Sequence, residues 1–248
     1  MDQVNCIEKL NLFGLTRQEA AIYVCLIQNT ELTGYEVAKL TGISRSNVYS
    51  TLAGLTEKGA AYLMEGTTSK YRAVSIKEFC DNKMRNMKEV ANYLIDQIPD
   101  MTESSDGYIT ISSYKNILDK IHHMILSADK RLYVSAPEKI IKVIAPELRD
   151  ICKRGIKVVI VTNKLPDIKG IQVHLIEKEG NQIRLITDSK YVLTGEITGS
   201  NLDTCLYSGQ KNFVTVFKEA LSNEIKLIAL TKGEVKNEQD TICDQGTN

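Results

Sequence analysis

The chain has 248 residues and a mass of 27.7 kDa, enough for two ordinary domains with apolar cores of their own. Lys and Arg together number 31, as do Asp and Glu, so the formal charge is zero and an indiscriminate polycation is excluded. The apolar runs are shorter than a membrane span, and the N-terminus is acidic and polar where a signal peptide is apolar. The sequence therefore predicts a cytoplasmic protein that does not bind a membrane.

The first predicted elements are helices with recognisable starts. Three stretches place a hydroxyl residue three positions before a Glu, which is the capping-box pattern of a helix N-terminus: 16–19, 33–36 and 75–78. The helix that begins after Thr16 is expected to run to about Asn29. The next is short and stops at Gly42, which can adopt the left-handed conformation that ends a helix.

A second helix follows that turn, with Ser44 as its predicted cap and Gly59 as its end. Its apolar residues form one stripe, Val48, Leu52 and Leu55. A helix, a short turn containing Gly and another helix are the helix-turn-helix arrangement. Two short strands around a polar turn, at 60–64 and 70–74, predict a hairpin wing. We therefore expect a winged helix-turn-helix domain over residues 1–74.

A long helix is predicted over residues 75–98, before Pro99 and a polar linker around residues 103–107. Its apolar residues step by four and three positions, as in a coiled coil: Cys80, Met84, Met87, Ala91, Leu94 and Ile98. The pattern fits a seam that pairs two protomers, and it also fits an amphipathic helix that packs on its own domain.

The rest of the chain alternates in type and predicts an α/β domain over residues 106–231. Strands are expected at 108–111, 131–135, 156–161, 172–176, 183–186, 191–193 and 205–207, and helices at 114–126, 140–154 and 213–220. The segment 232–248 is polar and charged, so a disordered tail is expected there. The overall fold class is α+β, multidomain.

The second helix of the helix-turn-helix can read DNA because a helix fits the major groove. With the apolar stripe inward, the reading face carries Arg45, Ser46, Asn47, Tyr49 and Ser50. Arg45 suits a guanine edge or a phosphate. Asn47 either pairs with adenine or only caps the helix start or contacts solvent. Lys70 and Arg72 alternate along one wing strand, which fits phosphate contacts and equally a solvated strand face.

Charge is balanced over residues 1–76, and between Ser44 and Arg72 there is a small positive surplus. Four cations there, Arg45, Lys58, Lys70 and Arg72, face two carboxylates, Glu57 and Glu65. We expect weak DNA binding by a monomer that becomes useful when two copies engage a two-fold site.

The six cysteines are scattered, with no CxxC or Cys/His ligand spacing, so neither a disulfide framework nor a zinc site is expected. We interpret them as buried small apolar residues. His122 and His123 are neighbours on a predicted helix and point about 100° apart, so they cannot chelate one ion. The sequence predicts no catalytic residue, no metal and no cofactor.

Three segments, 15–23, 42–52 and 55–59, resemble the winged helix-turn-helix of the TrmB family of prokaryotic, often sugar-responsive, transcriptional regulators. The resemblance covers about residues 8–98. It implies that the long helix is a dimerising coiled coil and that the C-terminal part is an effector domain built like a phospholipase-D half. The chain ends soon after that half, so we do not expect the additional sugar-binding domain of larger TrmB-type proteins.

Residues 183–195 are similar to the HxKxxxxD motif of phospholipase D, with Asp188 at the Asp position. The His position is occupied by Asn181 and the Lys position by Ile183, so nucleophile and phosphate-binding cation are both missing. Phosphodiesterase activity is therefore not expected. An effector pocket, if present, is expected near Ser135 and Asp188 at strand ends.

Together these features predict a homodimeric regulator that binds a double-stranded DNA operator and is modulated by its C-terminal domain. An unidentified small molecule is the candidate effector. Two alternatives stay open. In one, the C-terminal domain only oligomerises, without a ligand. In the other, the chain is a nucleic-acid-processing enzyme that docks through the winged helix.

Overall fold

The structure is a computed structural model that describes the backbone of residues 3–98, 107–177 and 180–242, with side chains as far as residue 230. The chain divides into two compact units, residues 1–101 and 102–248. The predicted linker around residues 103–107 lies almost wholly outside the described residues. No helix among the described residues is long and apolar enough to cross a membrane.

The first unit is a helical domain with a small sheet. Its elements are α1 (Gln3–Leu12), α2 (Arg17–Ile27), β1 (Leu32–Thr33), α3 (Gly34–Thr41), α4 (Arg45–Glu57), β2 (Ala61–Met64), β3 (Lys70–Ala73) and α5 (Ile76–Gln97). The strands are antiparallel in the order β1-β3-β2. The predicted helix-turn-helix and wing are thus confirmed. Strand β1 was not predicted, because two residues are too few to show the alternation of a strand.

Two of the three capping boxes form completely, at Thr16 with Glu19 and at Thr33 with Glu36. At the start of α5, Ser75 accepts a hydrogen bond from the amide of Glu78 as expected. The Glu78 side chain does not close this box, because it accepts a hydrogen bond from the Tyr62 hydroxyl at 2.9 Å. The first turn of α5 is therefore tied to the wing.

The second unit is built on a mixed sheet. Its elements are β4 (Tyr108–Ser112), α6 (Tyr114–Leu126), β5 (Arg131–Ser135), α7 (Glu138–Lys153), β6 (Lys157–Thr162), β7 (Ile171–Leu175), β8 (Gln182–Thr187), β9 (Tyr191–Glu196), β10 (Thr204–Ser208) and α8 (Lys211–Ile242). Among the described residues, seven strands lie in the order β4-β10-β9-β8-β5-β6-β7. Of the strand pairs that the structure describes in this sheet, β5-β6 and β6-β7 are parallel and the others are antiparallel.

Both faces of this sheet are covered, as predicted for an α/β domain. On one face, Ile183 and Leu185 of β8 join the core formed with α6 and α7. On the other face, Ile186 of the same strand packs with Leu221 and Ile228 of α8. The alternation along β8 follows from the two-residue period of a strand.

Two sequence predictions are corrected by the described residues. The tail expected to be disordered from residue 232 continues as helix α8 to Ile242. Lys, Glu and Gln are good helix formers, and extending an existing helix avoids the cost of nucleation. Of the cysteines, Cys205 is buried as expected, but Cys6, Cys25, Cys80 and Cys152 are only half-buried. The last three lie at the margins of the cores. Cys243 lies outside the described residues.

Candidate nucleic-acid interface and effector site

The turn before α4 fixes where the predicted reading helix begins. Gly42 has φ of 72°, and its amide donates to the carbonyl of Ala38 at 3.0 Å, which ends α3 in the left-handed conformation. Ser44 occupies the cap position of α4, but its side chain makes no capping hydrogen bond. The capping hydrogen bond expected of Ser44 is therefore not formed.

The rotation of α4 about its axis is set by the core. Val48, Leu52 and Leu55 are fully buried, as predicted, and Thr51 is buried beside them. The opposite face is open, with Arg45, Ser46, Asn47, Tyr49 and Ser50 all exposed. Small hydroxyl and amide side chains on an exposed helix face allow close approach to base edges.

Two aromatic contacts join α4 to α3. The Arg45 guanidinium lies over the ring of Tyr35, 4.4 Å from its centroid, which is a cation–π contact. The ring of Tyr49 lies so close to Gly34 that a Cβ there would be 2.6 Å from its Cε1 atom. These contacts restrict the directions that Arg45 and Tyr49 can take, and nothing in the local sequence pattern signals them.

The basic residues of the wing alternate as predicted but share a carboxylate. Lys70 and Arg72 are exposed on one face of β3, opposite Met64 and Tyr62 of β2. Arg72 donates a hydrogen bond to Glu31, and Lys70 Nζ lies 3.9 Å from the other oxygen of that carboxylate. Glu31 thus competes with phosphate for both cations.

Lys58, the remaining cation of the positive surplus, is also paired. Its Nζ lies 2.6 Å from Glu19 and donates to the carbonyl of Gly14 at 3.0 Å. Burial raises the pKa of Glu19, but the bonds from Lys58 and Thr16 outweigh it, so the pKa lies below its usual value. The excess of positive charge counted between Ser44 and Arg72 is therefore neutralised by carboxylates that lie nearby in the fold. Among its four cations, Arg45 alone pairs with no carboxylate of the described residues.

In the second unit, Asp188 fastens the β8-β9 turn to the start of β5. Its carboxylate accepts hydrogen bonds from the amides of Asp129, Lys130 and Arg131 at 3.0, 2.8 and 2.9 Å. Burial raises the pKa of this carboxylate, but the hydrogen bonds from the three amides outweigh that effect, so the net pKa lies below the usual value. Asp188 adopts φ of 52°, a left-handed conformation that Asp tolerates better than most residues.

Ser135 lies at the other end of β5. It is fully buried, and its hydroxyl lies 3.3 Å from Glu224 of α8, which also contacts Arg184 at 3.4 Å. Since Arg131 and Ser135 are four residues apart on one strand, about 13 Å separates the two ends. The prediction of one pocket near both Ser135 and Asp188 is thus corrected, because the two residues lie at opposite ends of β5.

The other positions of the phospholipase-D-like motif carry no exposed nucleophile or cation. Ile183, at the Lys position, is fully buried in the core beneath α6 and α7. Asn181, at the His position, accepts a hydrogen bond from the amide of Ile197 through its backbone carbonyl. The described residues include no group of three or more His, Cys, Asp or Glu arranged to hold a metal ion.

A half-open cavity of about 310 Å³ lies beside α8, on the sheet face to which Ser135 belongs. Tyr133, Ile186, Leu221 and Ile225 form most of its wall. Three polar side chains of α8 complete the lining, Lys218, Ser222 and Lys226. Apolar walls with a few polar groups are typical of small-molecule sites.

Comparison with known proteins places both units in one family. Residues 10–77 match the family described as sugar-specific transcriptional regulator TrmB, and residues 107–223 match the EBD N-terminal subdomain of transcriptional regulator TrmB. The uncharacterized protein YrhO of Bacillus subtilis is 25% identical over 92% of this chain and 87% of its own length. The sugar-sensing regulator TrmBL1 of Pyrococcus furiosus is 24% identical over 65% of this chain and 48% of its own length.

Solved structures with similar backbones include regulators and phospholipase-D-type proteins. The archaeal chromatin protein TrmBL2 aligns over 90% of this chain and 98% of its own, with 22% identity and a TM-score of 0.46. The phospholipase D family member Nuc of Salmonella typhimurium aligns over 47% of this chain and 92% of its own, with 17% identity and a TM-score of 0.37. The matches over 10–77 and 107–223 confirm the resemblance read from the sequence: the chain belongs to the TrmB family of transcriptional regulators.

Proposed function

We propose that the protein is a homodimeric transcriptional regulator that places α4 of each copy in the major groove of a two-fold operator. The observation that carries this proposal is the exposed face of α4. Arg45, Ser46, Asn47 and Ser50 face outward on a helix whose rotation is fixed by buried Val48, Leu52 and Leu55. Arg45 and Asn47 supply the hydrogen-bonding groups for base edges, and Lys70 and Arg72 of the wing contact phosphates.

The seam of α5 supports pairing of two copies. Its large apolar side chains Met84, Met87 and Leu94 expose 55%, 59% and 46% of their surface. An amphipathic helix that packed on its own domain would bury this stripe, whereas a partner helix with the same heptad pattern covers it. Pairing lets two winged helices bind one DNA molecule. Once the first is bound, the second is held at a high effective concentration near its half-site, so the dimer binds more tightly than a monomer.

The cavity beside α8 supports an effector site in the second unit. Its walls join the sheet to α8, so a ligand bound there favours one position of this helix over another. A ligand that binds two states of the protein with different affinity shifts their populations, with a typical coupling of about 1–3 kcal/mol. The second unit thus serves as the regulatory domain. Tyr133, two residues before Ser135 on β5, lines this site, whereas Ser135 itself is fully buried and neither it nor Asp188 is part of the cavity wall.

We propose no catalytic role for this unit. Ile183 supplies no cation and is buried, and Asn181 is a poor nucleophile at the position where phospholipase D carries His. Incubation of the protein with duplex DNA and divalent cations should therefore give no cleavage products. Cleavage that depends on the second unit would favour the nucleic-acid-processing alternative.

DNase footprinting on DNA upstream of the protein's own gene, at two salt concentrations, tests the proposal. We expect protection of two half-sites about one helical turn apart, and affinity that falls steeply with salt. Repeating the footprint with pools of metabolites tests the effector site. Absence of protection at either salt concentration would overturn operator binding, and protection that no metabolite alters would favour a purely oligomerising second unit.

A further inference from the structure

The outward face of α8 carries a stripe of residues that are exposed in the described part of this unit. Five positions form this α8 stripe, and all are exposed: Val216, Ala220, Asn223, Leu227 and Leu230. The three large side chains expose 60%, 61% and 63% of their surface. The opposite face of the helix packs on the sheet through Val214, Leu221 and Ile228. The α8 stripe is thus a second apolar surface of this helix, separate from the face that packs on the sheet.

The spacing of the α8 stripe is that of a coiled coil. Its positions step by four, three, four and three residues, which is the 3.5-residue period that keeps a seam facing a partner helix. In this register Ala220 and Leu227 take the a positions, and Val216, Asn223 and Leu230 take the d positions. An isolated exposed Leu needs no explanation, but a heptad stripe of this kind requires a helix of matching period to cover it.

We infer that the α8 stripe is covered by α8 of a second copy of this chain, in antiparallel orientation. The inference rests on the homodimer of the proposed function and adds a second, separate contact to it. A second copy is the occupant because it presents the same stripe with the same period, and because its charges match when the helices run in opposite directions.

The charges beside the stripe select the orientation. Glu219 and Lys226 take the g positions and are exposed, whereas Glu224 takes an e position and is half-buried, in contact with Arg184 of the sheet. A parallel pair brings each Glu219 next to the partner's Glu224, another carboxylate, so no attractive contact forms at this position. An antiparallel pair brings each Glu219 next to the partner's Lys226, and two-fold symmetry makes this favourable contact twice.

The polar residue in the stripe fits the same arrangement. When Leu227 packs against the partner's Val216, the next layer places Asn223 against the partner's Ala220. The methyl side chain of Ala220 leaves room for the larger amide, so Asn223 reaches solvent at the edge of the seam. A single polar residue in an otherwise apolar seam fixes register at some cost in stability.

Sedimentation velocity of the full chain without DNA tests this contact. We expect Leu227→Asp to raise the dissociation constant of the dimer at least tenfold, because it places charges in the seam. Thr215→Asp is the matched control, since Thr215 is exposed on the same helix, outside both the stripe and the lining of the cavity. An unchanged dissociation constant for Leu227→Asp would overturn the inference, while footprinting of the unmodified protein tests the proposed function separately.

Charge reversal tests the orientation without adding charge to the seam itself. Glu219→Lys and Lys226→Glu should each weaken the dimer by roughly threefold, and the double variant should restore it, because exposed ion pairs contribute up to about 1 kcal/mol. In a parallel pair, Glu219→Lys would instead face the partner's Glu224 and tighten the dimer. Tightening by that single variant, or no restoration by the double variant, would overturn the antiparallel arrangement.

Discussion

The guanidinium of Arg72 in the wing donates a hydrogen bond to the carboxylate of Glu31, in the segment before β1. Lys70 lies 3.9 Å from the same carboxylate. Both cations must release Glu31, or share it, before they bind phosphate. Glu31 therefore weakens the electrostatic attraction between the wing and DNA.

Replacing Glu31 by Gln should strengthen operator binding, because it removes the competing carboxylate and leaves Lys70 and Arg72 for phosphates. The pairs are about half exposed, and such pairs contribute about 0–1 kcal/mol, so the expected gain in affinity is roughly two- to fivefold. Fluorescence anisotropy of labelled operator DNA measures it. Glu8→Gln, an equal change of charge at an exposed position of α1, is the control, and equal gains for both variants would refute a specific role for Glu31.

Arg45 is the candidate for direct reading of bases. Arg45→Ala should weaken operator binding by roughly 1–3 kcal/mol while binding to unrelated DNA falls less, since base contacts carry specificity. Anisotropy titrations with both DNAs give the ratio. Arg17→Ala removes an exposed Arg from the start of α2 and serves as control. Equal losses on both DNAs would assign Arg45 to phosphate contact instead.

The parts of this site that the sequence predicts are those encoded within one or two helical turns. The spacing of Val48, Leu52 and Leu55 sets the rotation of α4, so the exposed face could be derived before the structure was known. The pairing of Glu31 with Arg72 spans 41 residues and depends on β1 lying beside β3. A two-residue strand such as β1 is too short to show alternating polarity. The sequence therefore could not show that Glu31 neutralises the positive charge of the wing.

In the second unit, too, the sequence predicts features set by neighbouring residues but not contacts between distant ones. Strand and helix order follow from periodicity, and the boundaries of α6 and β5 agree with prediction. The role of Asp188 depends on amides 57 to 59 residues away. Sequence placed Asp188 in a degenerate active site with Ser135, whereas the sheet register shows that it clamps the opposite end of β5.

The α5 seam is expected to couple the two winged helices on DNA. Leu94→Asp should lower operator affinity by tenfold or more, because each winged helix then engages its half-site alone. Asn92→Asp adds the same charge to an exposed position outside the seam and should have little effect. Mobility-shift titrations measure both variants. Unaltered affinity for Leu94→Asp would show that α5 does not connect the DNA-binding units.

The clamp at Asp188 should make the stability of the second unit depend on acid pH. Asn tolerates the left-handed backbone and has nearly the same shape, but its amide group cannot accept all three backbone hydrogen bonds. Asp188→Asn should therefore lower the free energy of unfolding by about 1–3 kcal/mol at neutral pH. Chemical denaturation followed by circular dichroism measures the difference.

The pH dependence of that difference identifies the carboxylate as its source. Because the pKa of Asp188 is lower in the folded protein than the ordinary value of 3.8, its stabilisation is complete above that value. It is lost as the pH falls from 3.8 through the folded pKa, where the carboxylate becomes protonated. The unfolding free energies of wild type and Asp188→Asn should thus differ by a constant amount above roughly pH 5, about one unit above the ordinary pKa, and converge in stronger acid. A difference that persists unchanged in stronger acid would mean that shape, and not charge, holds the turn against β5.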